Sequence, residues 1–320
     1  MSSPAKKVLR LIIPILLAVV LGWYAFSKFP ISEVLPYVKK ANIWWILFGV
    51  LLGVLSHLSR AYRWKYLLEP LGYKVHFSNS VMAVFTGYLT NFGIPRSGEV
   101  LRAAVLTNYE DVPFDKGFGT IVAERIADVL VMLVIITTTL ILQFDYIFRL
   151  LENSFSVQKL LLGSLALIIL GTSLIFFLKI SKSGFALKIK AFFNGLKEGV
   201  LSIFKMKDKW VFIAHTLFIW IMYILMFYVT SFAFPELSHI TIGMILVAFI
   251  SATFTIAATN GGIIAYPLAV MTTFSLFGIE ETPSYAFGWV MWSSQTLMLV
   301  VLGILSFIFL PIYNRKKTLM

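Results

Sequence analysis

Long apolar segments separated by short polar ones dominate the chain. An α-helix needs about 20 predominantly apolar residues to cross about 30 Å of hydrocarbon, and six segments approach that length. They lie at residues 8–26, 41–58, 126–144, 160–178, 211–234 and 285–312. The pattern predicts an all-α, polytopic membrane protein with about six full transmembrane helices.

Two further apolar regions are interrupted by residues that break helices. Residues 78–106 have a break at 93–95 and then a short charged return. Residues 241–279 have a break at 259–262, followed by a second leg that Pro267 interrupts. Each pattern is typical of a re-entrant hairpin, whose irregular tip must lie against protein or a wet cavity; a pair of short crossings is the alternative. Hairpins that enter from opposite sides would form an inverted repeat whose broken helices meet near the midplane.

Charge sets the expected orientation. The formal net charge is +12, and the basic clusters fall on one side if both termini are cytoplasmic, as the positive-inside rule favours. The basic start and the apolar run after it are interpreted as a retained signal anchor. Residues 183–209 alternate apolar residues at helical spacing with lysines, which predicts an interfacial helix on the inner leaflet. No charged stretch is long enough for a soluble domain, so residues 1–320 are predicted to form one integral membrane domain.

Charges concentrate between residues 91 and 128, among apolar segments. Each charge at the centre of a spanning helix costs roughly 2.5–3.5 kcal/mol, so such residues are usually paired or face a wet cavity. The segment is therefore the first candidate for a functional site. Its candidate charges are Arg96, Glu99, Arg102, Glu124, Arg125 and Asp128, whereas Glu110, Asp111 and Asp115 are expected in a cytoplasmic loop.

Spacing suggests how some of these charges interact. Glu124 and Asp128 are four residues apart and share a helix face, and Arg125 can pair with Asp128 at a spacing of three. At the start of the span near residue 126, acidic residues also suit the helix dipole. The functional alternative is that Arg96 and Arg125 bind a phosphate through two parallel hydrogen bonds.

The stretch SRAYRWKYLLEPLG follows the second span and holds Arg60, Arg63 and Trp64. Basic and aromatic residues there are typical of interfacial anchoring, which is favoured over substrate contact.

The chain has no motif typical of metal binding, catalysis, nucleotide binding or nucleic-acid binding. The chain has no cysteine, and His57 and His215 are isolated residues without metal-ligand spacing. No Walker loop, GxSxG elbow or nucleotide-binding glycine motif occurs. The scattered lysines form no base-reading motif, so nucleic acid is not an expected partner. We therefore expect no catalytic residue, no cofactor and no metal, and a protein that is not an enzyme.

Four stretches together resemble a known family. They are SRAYRWKYLLEPLG, GYLTNFGIPRSGEVLRAAVL, TIVAERIADVLVML and the late NGGIIAYPLAV. The chain is similar over nearly its whole length to the flippase-like membrane family that includes the transmembrane region of lysylphosphatidylglycerol synthase. Family members often read Pro-Gly-Gly-hydrophobic-Gly in the late motif, whereas this chain has Asn260 in place of the proline and Ile264 in place of the last glycine.

The resemblance implies translocation of an anionic or aminoacylated phospholipid, or of a lipid-linked intermediate, across the cytoplasmic membrane. The alternatives are an enzyme or accessory acting on lipid-linked sugar or aminoacyl donors in envelope biosynthesis, and a scaffold subunit of an envelope synthase. Expected partners are the lipid substrate, membrane lipids, and a second copy or an envelope-synthesis protein. The implied substrate-binding residues are Arg60, Arg63, Asn91, Arg96, Glu99, Arg102, Glu124, Arg125, Asp128, Asn260, Gly261 and Gly262.

Overall fold

The computed structural model describes residues 29–94, 97–146, 206–259 and 261–315, with isolated positions at 27, 148 and between 172 and 187. All regular elements in these ranges are helical. The chain divides into two compact units, one of Met1–Val122 with Trp210–Met320 and one of Ala123–Lys209. The prediction of a single functional domain over residues 1–320 stays a prediction.

Nine helices of ten or more residues form the described part of the chain. They are α1 (Ile31–Lys40), α2 (Ile43–Arg63), α3 (Phe77–Gly93), α4 (Gly98–Glu110), α5 (Phe114–Leu142), α6 (Lys209–Ser231), α7 (Ile242–Ala258), α8 (Ala265–Leu276) and α9 (Glu281–Tyr313). Short helical turns occur at Lys65–Leu68, Glu69–Leu71 and Pro235–Leu237.

Four helical segments are long and apolar enough to cross a membrane: Ile43–Leu71, which is α2 with the turns after it, and α5, α6 and α9. They confirm four of the six predicted spans and the all-α, polytopic membrane class. The other two, at 8–26 and 160–178, lie outside the described residues. So does most of the predicted interfacial helix at 183–209.

Helix α5 begins twelve residues before the predicted start of its span. It starts at Phe114, directly after Pro113, and its first turn holds Asp115. The first residues of α5 are polar residues and glycines, so an apolar segment does not reveal them, although they are helical. Glu124 therefore lies in the third turn, beyond the first turn within which the helix dipole acts. The dipole explanation for Glu124 and Asp128 is wrong.

In the first unit, α2 and α6 run antiparallel. At one end, the backbone N–H of Asn42 donates to the Ala233 carbonyl at 3.0 Å. At the other end, Nη1 of Arg63 donates to Oγ1 of Thr216 at 2.8 Å. We call the first the upper end and the second the lower end.

Helices α3 and α4 form the first hairpin, which begins and ends at the lower end. The ring of Phe77, the first residue of α3, lies 5.8 Å from that of Tyr62 in the last turn of α2. The carboxylate of Glu110, the last residue of α4, accepts hydrogen bonds from the His76 backbone N–H at 3.1 Å and the Asn79 amide at 2.5 Å. The two legs lie close enough that a Cβ on Gly87 would be 2.9 Å from the carbonyl oxygen of Gly98. Glycines permit this backbone contact.

Helices α7 and α8 form the second hairpin, which begins and ends at the upper end. Rings of Phe234, before α7, and Phe274, near the end of α8, both pack on Phe287 with centroids 5.8 and 5.9 Å away. The expected interruption at Pro267 is wrong, because Pro267 is the third residue of α8. Proline is tolerated in a first turn, where its missing N–H would have no partner within the helix.

Both hairpins pack closely against glycines of α9. A Cβ on Gly288 would lie 2.7 Å from Cα of Pro267 in the second hairpin. A Cβ on Gly303 would lie 2.7 Å from Cβ of Leu89 in the first. Between them, Nε1 of Trp292 donates to the carbonyl of Gly261 at 2.7 Å, so the second hairpin's tip rests on the middle of α9.

The two hairpins meet at their tips. A Cβ on Gly261 would lie 3.9 Å from the ring of Phe92 at the end of α3. The legs have 17, 13, 17 and 12 residues, so each rises only about 18–26 Å. Each leg is shorter than the roughly 30 Å of hydrocarbon. The contacts and the short legs therefore show two opposed hairpins and not pairs of full crossings.

Candidate functional site

Three arginines are buried in the lower half of the first unit. Arg60 and Arg63 lie in the last turn of α2 and are 3% and 0% exposed, and Arg102 lies on α4 of the first hairpin and is 3% exposed. Each was predicted from sequence as a substrate-binding residue. We call them the buried arginines.

Helix α6 holds the two arginines of α2 in place. Besides its bond to Thr216, Arg63 has its guanidinium carbon 5.2 Å from the centroid of the Phe212 ring. Nη2 of Arg60 lies 3.5 Å from the Tyr223 hydroxyl. All of these partners are on α6, more than 140 positions along the chain. The antiparallel pairing of α2 and α6 therefore sets the direction of both guanidiniums.

Trp64 connects the arginines of α2 to the first hairpin. Its indole is fully buried, the guanidinium carbon of Arg102 lies 4.4 Å from its ring centroid, and its Nε1 donates to Oγ1 of Thr120 at 2.8 Å. Interfacial anchoring, the favoured interpretation of Arg60, Arg63 and Trp64, is wrong. An anchor must reach the headgroup layer, and these side chains are enclosed by protein.

At the tip of the first hairpin, Asn91 closes the turn. Its Oδ1 accepts the backbone N–H of Gly98, the first residue of α4, at 2.8 Å. This satisfies one of the N–H groups that a helix start leaves without a partner. Glu99 follows in the first turn of α4 and is half-buried. Arg96 lies outside the described residues.

At the tip of the second hairpin, the backbone makes the turn without such a side chain. Gly261, Gly262 and Ile264 have φ of 79°, 74° and 71°, a left-handed region that suits glycine and is an outlier for a β-branched residue. Position 264 is where the resemblance implies a glycine, and the left-handed backbone gives a physical reason for that residue. Asn260 lies outside the described residues.

In the second unit, helix α5 carries Glu124, Arg125 and Asp128. Glu124 is 0% exposed and Asp128 6%, so the predicted shared face is a buried one. The predicted pairing is confirmed, since Nη1 of Arg125 lies 3.7 Å from Oδ2 of Asp128. The Arg125 side chain is 43% exposed. Phosphate binding by Arg125 or Arg96 stays a prediction.

Glu110 is not in a loop, as the sequence suggested, but is the buried last residue of α4. Its hydrogen bond to Asn79 also connects it to the end of α9. The side-chain amides of Asn79 and Asn314 donate to each other at 2.8 and 2.9 Å. We call Asn79, Glu110 and Asn314 the lower clasp. Asp111 lies in the exposed turn after α4, as the sequence suggested. Asp115 is exposed too, but it lies in the first turn of α5, so the loop prediction is wrong for it.

Sequence reasoning missed the lower clasp and the Trp292 contact. Asn79 and Asn314 are 235 positions apart, so no local pattern connects them. The available signal was the amide of Asn79 near the start of a membrane-embedded hairpin, since a buried amide usually has a polar partner.

This arrangement can bind an anion. A guanidinium matches phosphate oxygens with two parallel hydrogen bonds and is more weakly hydrated than an ammonium. Three groups of this kind are enclosed in the protein interior here. Within the described ranges, no group of three His, Asp or Glu side chains is placed to hold a metal ion.

Comparisons with known proteins identify the family of the chain. The profile of the Lysylphosphatidylglycerol synthase TM region matches residues 11–315. UPF0104 membrane proteins of Methanocaldococcus jannaschii and Pyrococcus horikoshii are 27% and 30% identical over 106 and 133 residues. The first match covers 32% of each chain, and the second covers 40% of this chain and 38% of the relative.

A third relative is described as the glycosyltransferase AglD of Haloferax volcanii. It is 28% identical over 100 residues, or 31% of this chain and 16% of that protein. The matches thus span less than two fifths of each relative's length, and no solved structure matches the chain. The profile, in contrast, matches nearly the whole chain, which therefore belongs to the lysylphosphatidylglycerol synthase transmembrane-region family.

Proposed function

We propose that this multi-pass membrane protein moves an anionic or aminoacylated phospholipid, or a lipid-linked intermediate, between the leaflets of the cytoplasmic membrane. The observation that carries the proposal is the meeting of two opposed hairpins beside the middle of α9, with the buried arginines below them. In membrane transporters, broken helices from opposite sides commonly shape a substrate site near the midplane.

The energetic argument concerns the arginines. An arginine at the centre of a spanning helix costs roughly 2.5–3.5 kcal/mol, so a charge kept inside a membrane protein is usually paired or functional. The enclosure of three arginines in one half of the first unit supports a functional role. A phosphate that passes these guanidiniums exchanges hydration for charge-assisted hydrogen bonds. The same groups would therefore lower the barrier for a headgroup that must avoid hydrocarbon.

Roles for the charges follow from their chemistry. Arg60, Arg63 and Arg102 bind the phosphate, and the half-buried Glu99 at the hairpin tip balances their charge or contacts a cationic headgroup. The predicted roles of Arg96 and Arg125 in phosphate binding, and of Glu124 and Asp128 in balancing charge, stay predictions. No step in this function makes or breaks a covalent bond, so the protein is proposed to be a transporter rather than an enzyme.

The test uses the purified chain in liposomes that contain a fluorescently labelled phosphatidylglycerol. Leaflet exchange is measured by reduction of the outer-leaflet label with dithionite. We expect exchange in the wild type and at least a tenfold slower rate in Arg102→Gln, since a charge-assisted hydrogen bond contributes about 1.5–3 kcal/mol. Arg315→Gln is the matched control, because Arg315 is exposed at the lower end and its loss changes net charge equally.

Three outcomes would contradict the proposal. They are no exchange by well-folded wild type, equal rates in Arg102→Gln and wild type, and equal slowing by both substitutions. Elution volume and thermal midpoint in detergent establish that Arg102→Gln is folded. If it is not, Glu99→Gln provides the second variant, since Glu99 is half-buried in a first turn; we expect it to slow exchange and retain the wild-type midpoint.

A second candidate is an enzyme or accessory that acts on a lipid-linked sugar or aminoacyl donor. The likeness to a protein described as a glycosyltransferase favours it. The liposome experiment separates the two, because transport leaves the lipid chemically unchanged and catalysis yields a product that mass spectrometry detects. A scaffold subunit would show neither activity alone and would copurify with a partner.

A further inference from the structure

A second polar cluster lies at the lower end, apart from the buried arginines. It joins the end of α2 and the short helical turn after it to the beginning of α6. We call it the Lys65 cluster, and its members are Ser59, Tyr62, Lys65, Tyr66 and His215.

Two phenol rings hold the ammonium of Lys65. Its Nζ donates to the hydroxyl of Tyr62 at 2.7 Å, and it lies 4.0 and 4.8 Å from the ring centroids of Tyr62 and Tyr66. Ring faces attract a cation, so the pair fixes its position. Among the described residues, no carboxylate lies within ion-pair distance of Lys65. The ammonium therefore retains N–H groups for an anion.

An imidazole and a hydroxyl complete the cluster. Nδ1 of His215 is 2.8 Å from Oγ of Ser59, and its ring centroid lies 5.1 and 6.1 Å from those of Tyr62 and Tyr66. When Ser59 donates to Nδ1, the neutral ring carries its proton on Nε2 and offers it as a donor. In the ranges that the structure describes, Nε2 makes no hydrogen bond.

The position of the cluster suits a lipid. Tyr62 is 38% exposed, and the ring of Phe77, which is 47% exposed, lies 5.8 Å from it. Exposed aromatic rings at the end of a spanning helix are typical of the headgroup boundary. On the inner side, His215 adjoins Thr216, the hydrogen-bond partner of the buried Arg63. The cluster thus lies between the membrane surface and the buried arginines.

We infer that the Lys65 cluster binds the phosphate diester of an anionic phospholipid at the lower-end membrane surface, as the first contact before the buried arginines. The lysine supplies charge, the phenols orient it, His215 and Ser59 supply further hydrogen bonds, and Phe77 contacts the acyl region. Only the order of contacts during transport rests on the proposed function. Lipid binding itself is measured without transport.

The test compares spin-labelled phosphatidylglycerol and phosphatidylcholine in vesicles that contain the full chain. The motionally restricted part of the spectrum gives their relative association with the protein. We expect selectivity for phosphatidylglycerol in the wild type, a roughly tenfold loss in Lys65→Gln, as for one charge-assisted hydrogen bond, and recovery of most of it in Lys65→Arg. Tyr62→Phe, which keeps the ring, should lose about two- to threefold because the ammonium is less well oriented.

Lys74→Gln is the matched control. Lys74 is exposed in the loop before α3, so its loss changes net charge equally without touching the cluster. Little change in Lys74→Gln supports the inference. Equal losses in Lys65→Gln and Lys74→Gln would show general surface attraction and overturn it.

Soluble glycerophosphate distinguishes a lipid from a free phosphate as the ligand. Failure of millimolar glycerophosphate to displace the labelled lipid supports the lipid assignment, and displacement would overturn it in favour of a soluble phosphate ester. If leaflet exchange is absent while Lys65-dependent selectivity persists, the transport proposal fails and this inference stands.

Discussion

The two hairpins have the same architecture, but the turns at their tips are stabilised differently. In the first, a side chain closes the turn, since Asn91 caps the N–H of Gly98, and the return leg carries the buried Arg102. In the second, left-handed backbone at Gly261 and Gly262 closes the turn, and the legs carry no charged residue. The charged side chains of the hairpins are thus all in the first one, while the second has an apolar pair of legs and a tip that contacts α9.

Their attachment to α9 is alike, however. Each hairpin packs on a glycine of α9, Gly303 for the first and Gly288 for the second. Close helix contacts through small residues are a common means of association in membranes, where the hydrophobic effect between helices is absent. The difference between the hairpins therefore lies in their tips and polar residues.

The largest expected effect comes from separating the legs of the first hairpin. Gly98→Leu places a side chain against the backbone carbonyl of Gly87, a rigid atom, so we expect a loss of about 3 kcal/mol, at the top of the usual range for overpacking. Thermal unfolding in detergent measures it. Gly93→Leu is the control, because a Cβ there meets nothing within 4 Å. Equal losses would show that the legs are not in close contact.

A smaller effect is expected at the base of the same hairpin. Asn79→Ala removes hydrogen bonds to Glu110 and Asn314 and leaves buried polar atoms without them, which should lower the unfolding free energy by about 2 kcal/mol. Denaturant titration in detergent gives the value. Asn108→Ala, at an exposed position of α4, should be nearly neutral. If Asn79→Ala is equally neutral, the lower clasp does not stabilise the hairpin.

A side chain at the left-handed Gly262, in the tip of the second hairpin, should lower the stability of the protein. Gly262→Ala forces an L side chain into left-handed backbone, at about 1–2 kcal/mol, and sets its Cβ 3.1 Å from Ile256. Gly278→Ala is the control for the backbone alone, because its φ is 78° but a Cβ meets nothing within 4 Å. We expect a lower thermal midpoint for Gly262→Ala than for Gly278→Ala. The reverse order would show that the tip is not crowded.

The smallest effect has the opposite sign. Ile264→Gly relieves the left-handed strain of a β-branched residue, although glycine raises the entropy of the unfolded chain and the partly buried side chain is lost. The net gain should be about 1 kcal/mol, visible as a higher thermal midpoint. Ile263→Gly, at the exposed neighbouring position without positive φ, should instead destabilise. A lower midpoint for Ile264→Gly would contradict the strain.

The comparison of the hairpins also shows where sequence reasoning succeeded. Both hairpins, with their breaks near Gly93 and Gly261, could be predicted because helix breakers and the length of apolar segments are local properties. The pairing of Arg125 with Asp128 was equally local. The failures were of another kind: the loop assigned to Glu110 and Asp115, the anchoring role given to Arg63, and the start of α5, which was predicted twelve residues too late.

By itself, the sequence determined the class of the protein, the described spans and the position of both hairpin tips, because hydrophobic length and backbone breakers act within a few turns of helix. Only the tertiary structure decided which charges are enclosed. Arg63 and Lys65 are two positions apart, yet Arg63 is buried against Thr216 on α6, 153 positions away, and Lys65 lies at the membrane end. Burial depends on which helix faces which neighbour, and contacts between distant parts of the chain set that choice.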